Sequence, residues 1–244
     1  MSLINILGIN INILTKKQAL VKIQNFLTGG RQHFIVTPNP EIILEAIGGD
    51  EELFYILNSA DLSLPDGIGL KLAAWAMGKN LKRITGADLT LKILKMAEEK
   101  NYKVAVFNWG GGLSTASEIK NKLEKKFPKL EFYIEDIERD VSFNLTEAVN
   151  FAPAIIFCTL GAPYQEKFIF HNLTKLASVK IGMGVGGSFD FLTGRIKRAP
   201  KIFRIIGLEW LWRLIKQPWR WRRIYNAVIV FPIKFILWRF GLIK

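Results

Sequence analysis

The chain has 244 residues, half of them hydrophobic, which is enough to bury a sizeable core and argues against a disordered protein. Its single cysteine, Cys158, excludes an intramolecular disulfide and a multi-cysteine metal cage. The formal charge of +13 belongs almost wholly to the last fifty residues: they hold 13 of the 34 Lys/Arg, one of the 21 acids (Glu209) and five of the seven tryptophans.

Residues 1–13 are apolar but lack a basic leader and a small-residue cleavage site, so they read as a first strand, at 3–6, and not as a signal peptide. Short apolar runs at 33–36, 62–64, 104–107, 132–134, 154–159 and 179–183 are the further expected strands. Between them, amphipathic stretches at 16–27, 40–47, 51–58, 68–77, 87–100, 113–127, 164–170 and 187–191 read as helices. Thr15 is placed to cap the first of these and Gly29 to stop it. The alternation predicts an α/β domain over residues 1–194 with a largely parallel sheet flanked by helices. From 195 to 244 the texture changes to aromatic and basic residues at helical spacing, with Leu208, Leu211, Trp212 and Ile215 on one face. Pro218 is expected to break that helix, and Pro232 to kink a second stretch at 219–238. No uncharged apolar run approaches the roughly 20 residues that a membrane-spanning helix requires.

In open parallel sheets ligands bind beyond the carboxyl ends of the strands, so the segments just after the strands are the ones to inspect. Asp66 stands at such an end, between Pro65 and Gly67. It is placed either to take the proton from an attacking hydroxyl, as an inverting sugar transfer requires, or to cap a helix beginning near Ile68. Thr37 and Asn39, set around Pro38 and before Pro40, have donor and acceptor capacity suited to sugar or ribose hydroxyls. The alternative is that Asn39 caps the helix opening at Pro40.

The glycines from Gly182 to Gly187 follow an apolar strand and lead into a short helix, where backbone amides could face phosphate. Gly110-Gly111-Gly112 is similar, yet neither run fits G-x-G-x-x-G, since the third glycine would fall at Thr115 or Phe189. That counts against a nicotinamide or flavin oxidoreductase. A Walker A sequence, a D-x-D motif and a His/Cys ligand cluster are all absent, and His33 and His171 are isolated, so neither a cofactor nor a metal is expected. Cations for a leaving diphosphate are available in the tail, where Arg213, Arg220, Arg222 and Arg223 lie close in sequence. Apolar residues between these charges are too abundant for nucleic-acid binding and suit an anionic membrane surface; the alternative is a helical pair simply packed on the body.

Several loops recur in an order that is specific. Thr37-Pro38-Asn39, Ala60-Asp61 through Pro65-Asp66-Gly67-Ile68-Gly69, Arg83-Ile84-Thr85-Gly86-Ala87-Asp88, Gly161-Ala162-Pro163-Tyr164-Gln165-Glu166, Gly184-Val185-Gly186-Gly187-Ser188-Phe189-Asp190-Phe191, then Gly194 and Arg198-Ala199-Pro200, resemble the successive motifs of the WecG/TagA/CpsF family of bacterial glycosyltransferases. The resemblance runs over about residues 6–223. It implies a metal-independent, inverting transferase with a Rossmann-like body, acting peripherally at the cytoplasmic face of the bacterial membrane, with a C-terminal appendage that touches the leaflet and completes the site.

The donor it implies is a UDP-sugar: UDP-N-acetylmannosamine in TagA-type members, the uronic acid form in WecG-type members, other sugars in CpsF-type members. For TagA-type members the acceptor is N-acetylglucosaminyl-diphospho-undecaprenol and the product is the linkage unit of wall teichoic acid. Carried over by position, the resemblance makes Asp66 the base, Thr37, Asn39, Arg83 and Gln165 substrate contacts, Gly184, Gly186, Gly187 and Asp190 part of the nucleotide loop, and Arg213, Arg220 and Arg223 the diphosphate ligands. Leu208, Leu211, Trp212, Ile215 and Trp219 are expected to meet the membrane, and the tail aromatics make a homo-oligomer an expectation as well. The rival reading from another class is a non-enzymatic membrane scaffold, which would bind no UDP.

Overall fold

The computed structural model describes residues 2–139, 143–200, 202–203 and 207–243; Lys201, Arg204 and Lys244 of the basic tail lie outside them. The chain opens with a hairpin in which β1 (Leu3–Ile6) pairs antiparallel with β2 (Ile9–Asn12). Its turn is Leu7-Gly8, both residues at positive φ. Because that dipeptide is not the Asn-Gly or Asp-Gly that marks such turns, the sequence shows one strand where there are two.

The other six strands among the described residues are β3 (His33–Val36), β4 (Leu62–Ser63), β5 (Val104–Trp109), β6 (Phe132–Ile137), β7 (Ile155–Cys158) and β8 (Ile181–Gly184). They form one parallel sheet in the order β4-β3-β8-β7-β5-β6. Nine helices of the body follow in chain order among the described residues: α1 (Lys16–Thr28), α2 (Pro40–Ile47), α3 (Glu51–Ser59), α4 (Ile68–Ala76), α5 (Gly86–Lys100), α6 (Ala116–Lys126), α7 (Thr146–Phe151), α8 (Tyr164–Asn172) and α9 (Ser188–Thr193).

Helices on both faces bury the sheet twice, which is why its strands read as unbroken apolar runs. Phe34, Val36, Ala105, Phe107, Ile156 and Cys158 point into a core shared with the hairpin, α2, α3, α4 and α8. Their neighbours Ile35, Val104, Val106, Ile155 and Phe157 point the other way, into a core shared with α1, α5, α6 and α9. Burial pushes the Cys158 thiol well above its ordinary pKa, so it packs as a small apolar side chain. Thr15 caps α1 in a reciprocal box with Gln18, as expected. Thr115 does the same with Glu118 and thereby starts α6 at Ala116, later than the expected 113. The isolated histidines are structural: His33 stacks on Phe26 at 3.7 Å between centroids, and His171 meets Glu52.

In the tail, α10 (Glu209–Lys216) ends before Pro218, as expected, and a 3-10 turn over Pro218–Arg220 leads into α11 (Trp221–Tyr225). One turn of π-helix, Asn226–Val230, then precedes α12 (Phe231–Arg239). The wider turn falls where Pro232 has no amide to donate, so the irregularity expected at that proline appears just ahead of it. Phe231 and Phe235 of α12 are buried in the same core as α2 and α4, so the last helix is packed into the body. Among the described residues no helix is long and apolar enough to cross a membrane.

Candidate active site

Loops from the carboxyl ends of all six parallel strands surround a cleft of about 420 Å³, closed on one side by residues of α10 and the turn after it. The adjoining strands β5 and β7 feed connections in opposite directions, outward to β6 and back to β8, which opens a crevice between their loops. Asp66 lies in this cleft, after β4, with Thr37 and Asn39 beside it after β3.

Backbone pairing fixes the Asp66 loop. Its amide donates to the Pro38 carbonyl at 2.9 Å, and the Ile84 amide donates to the Pro65 carbonyl at 2.9 Å. The helix-cap reading for α4 is corrected here: the cap position is Gly67 and no side chain bonds the helix end. Asp66 instead accepts, through Oδ2, the amide of Gly86 at the start of α5 (3.1 Å), while Oδ1 stands 3.8 Å from Arg83 Nε. The side chain keeps 29% of its surface open. Burial at the cleft floor raises its pKa above the ordinary aspartate value, and Glu209 adds to this; Arg83, the Gly86 amide and Arg213 pull the other way. A carboxylate with one oxygen committed and a raised proton affinity is suited to accepting a proton.

Asn39 does cap α2, its Oδ1 accepting from the Ile42 amide at 3.0 Å, so the alternative weighed for it holds and only the rest of the side chain serves the cleft. Thr37 is nearly buried, and Gly86 packs close to its hydroxyl. Arg83 does not line the cleft. It sits behind Asp66, pairs with Glu209 at 2.5 Å and borders a separate cavity of about 200 Å³ with Lys16, Lys71 and Arg198.

Gln165, 4% exposed, accepts from the Gly186 amide at 2.8 Å and donates to Glu166 Oε1 at 2.8 Å, so it holds the glycine loop in place. Gly184 lies beneath it rather than on the cleft wall: a Cβ there would come within 2.7 Å of the Gln165 amide. Burial pushes the Glu166 carboxyl up to about 7. Gly186, Gly187 and Asp190 do line the cleft, and Asp190 accepts from Ser114 Oγ at 2.7 Å.

Arg213, Arg220 and Arg223 reach the cleft from the tail. Arg223 pairs with Glu41 at 2.5 Å, Arg213 approaches Glu209 at 3.9 Å, and Arg220 donates to Gln217 at 3.3 Å. Burial, then repulsion from Arg223 and Arg213, lowers the Arg220 pKa to about 10, still far above neutrality. Like charges held together at this cost make a ready anion site.

The profile of the glycosyl transferase WecG/TagA/CpsF family matches residues 4–244. The chain belongs to this family. Among its relatives, the N-acetylglucosaminyldiphosphoundecaprenol N-acetyl-beta-D-mannosaminyltransferase of Bacillus spizizenii is 37% identical over 208 residues, covering 82% of this chain and 78% of the relative. The enzyme of the same name from Bacillus subtilis is 35% identical, covering 79% and 75%. A Staphylococcus aureus enzyme, again of that name, is 32% identical, covering 87% and 84%.

For this WecG/TagA/CpsF member, two residues that organise the cleft escaped the sequence reading. Glu209 bonds Arg83 and approaches Arg213, linking the Asp66 floor to α10; its one signal is being the lone acid of a strongly basic tail. Glu41, which holds Arg223, gave no signal beyond its place after Pro40. Arg222, grouped with the other arginines by sequence, is exposed beside Trp221 and does not line the cleft. Of the side chains expected to meet a membrane, Ile215 and Trp219 are exposed, whereas Leu208, Leu211 and Trp212 are half-buried, Trp212 against Phe203.

Proposed function

We propose that this glycosyltransferase moves N-acetylmannosamine from UDP-N-acetylmannosamine to N-acetylglucosaminyl-diphospho-undecaprenol, with inversion and without a metal, in the synthesis of a wall teichoic acid linkage unit. The observation that carries the mechanism is one cleft holding both a partly buried carboxylate, Asp66, and the guanidinium groups of Arg213, Arg220 and Arg223. The acceptor hydroxyl attacks the anomeric carbon and gives its proton to Asp66. The new carbon–oxygen bond forms as the bond to the UDP oxygen breaks, and the arginines stabilise the diphosphate that leaves. Gly186, Gly187 and Asp190 hold the nucleotide, and Thr37, Asn39 and Gln165 meet the sugars. Arg83 acts through Asp66 and Glu209.

The acceptor's polyprenyl chain stays in the cytoplasmic leaflet, to which the exposed Ile215 and Trp219 and the basic tail dock the enzyme peripherally. Without a membrane, the exposed tail aromatics favour association between copies of the chain. The identity of the relatives supports the donor and acceptor. The test is incubation with a panel of UDP-sugars and a short-chain diphospho-lipid carrying N-acetylglucosamine. Transfer fastest from UDP-N-acetylmannosamine is expected; a clear preference for another UDP-sugar would replace the donor, and no transfer from any would remove the reading.

A further inference from the structure

Glu209 is the lone acid among the last fifty residues, yet it is buried at 8% exposure instead of facing water. A buried carboxylate needs a partner, and this one finds its closest outside the tail: Arg83, 126 residues away in sequence, donates to Oε2 at 2.5 Å. Arg213, on the same helix as Glu209, stands off at 3.9 Å. The docked tail thus places a single negative charge directly behind the Asp66 floor.

Arg83 has a second acid in reach. Its Nε stands 3.8 Å from Asp66 Oδ1, too long for a hydrogen bond, while Asp66 Oδ2 is engaged by the Gly86 amide. One guanidinium therefore lies between two carboxylates and is drawn toward Glu209. Among the described residues, the other acid bordering the cavity behind Asp66 is engaged elsewhere: Asp88 of α5 takes Arg198 at 2.5 Å and Lys16 of α1 at 3.4 Å, and Lys71 of α4 adds only positive charge. A guanidinium closed onto Asp66 would pair with Oδ1, the oxygen left for the incoming proton, and would lower the carboxylate's proton affinity.

We propose that Glu209 is a positioning residue: carried in on α10, it draws Arg83 back and so leaves Asp66 Oδ1 open to the acceptor hydroxyl. The inference rests on the transferase reading, with Asp66 as base, and adds the means by which the docked tail sets that base. Burial raises the proton affinity of Asp66 and the Glu209 charge adds to it, against Arg83, the Gly86 amide and Arg213. Both routes point one way: without the Glu209 charge, Asp66 ionises at lower pH and is a weaker base.

Turnover against pH, followed by UDP release on the full chain with the diphospho-lipid acceptor, tests it beside UDP calorimetry. Glu209→Gln keeps an oxygen for Arg83 but loses the charge: kcat on the upper plateau should fall about tenfold, with the acid limb moved to lower pH and UDP affinity not reduced. The deficit should narrow at acid pH, whereas damage to the fold lowers the rate by one factor at every pH. Glu209→Asp keeps the charge and should hold the acid limb near that of the unmodified enzyme. An unmoved acid limb in Glu209→Gln, or UDP affinity lost along with turnover, would overturn the positioning role and leave Glu209 as an anchor of the tail. An unmodified enzyme that transfers no sugar would overturn the transferase reading beneath it.

Discussion

Replacing Asp66 with asparagine lowers turnover by about 10²- to 10⁴-fold, the range for losing a positioned general base, while UDP still binds. The isosteric amide retains an oxygen to accept the Gly86 amide, so the loop paired to Pro38 and Ile84 keeps its place. A UDP-release assay beside UDP calorimetry checks both halves. The pH profile of the unmodified enzyme carries the same signature. Asp66 works deprotonated, and burial raises its pKa, so activity falls as pH falls through a value above that of an exposed aspartate. Normal turnover by the variant, or loss of UDP binding along with turnover, would remove Asp66 as the base.

Replacing Arg220 with alanine has the second largest effect, a loss of about 10²- to 10³-fold in turnover, comparable to removing one preorganised donor from a developing negative charge. UDP affinity falls with it, and Arg220→Lys restores part of the charge without the bidentate fork. Folding stability should not fall. The lowered pKa of Arg220 records that its charged form is disfavoured by burial and by Arg223 and Arg213, so removing it relieves repulsion. Thermal melting beside kinetics separates the two readouts: a variant with an unchanged melting temperature and unchanged kcat/KM would show that Arg220 is not a phosphate ligand.

The parallel sheet was legible because its strands are apolar on both faces and the first helix carries its own start signal, Thr15; the cap at Thr115 was not picked out, which is why α6 was expected to begin at 113. The hairpin was half-hidden by a Leu-Gly turn, and α7 is too short for its periodicity to register. Asp66 could be picked out by its strand-end position, but its environment could not. Burial sets its proton affinity first, then Arg83 and the Gly86 amide from the segment opening α5, and Arg213 and Glu209 from α10, far along the chain. Asn39 had two readings, and in the structure the cap and the cleft share one side chain. Arg83 and Gln165 were assigned to substrate contacts; Arg83 stands a layer back, behind Asp66, while Gln165 lines the cleft with its amide engaged by Gly186 and Glu166. Periodicity showed the tail's charge and its proline break, but not that Phe231 and Phe235 turn inward to share the body's core.

A crystal structure of the Asp66→Asn variant with UDP-N-acetylmannosamine bound is the most direct measurement. The anomeric carbon should lie over residue 66, with the diphosphate between the Gly186-Gly187 loop and Arg220. A nucleotide seated outside the cleft, or with its phosphates turned away from Arg213, Arg220 and Arg223, would contradict the mechanism.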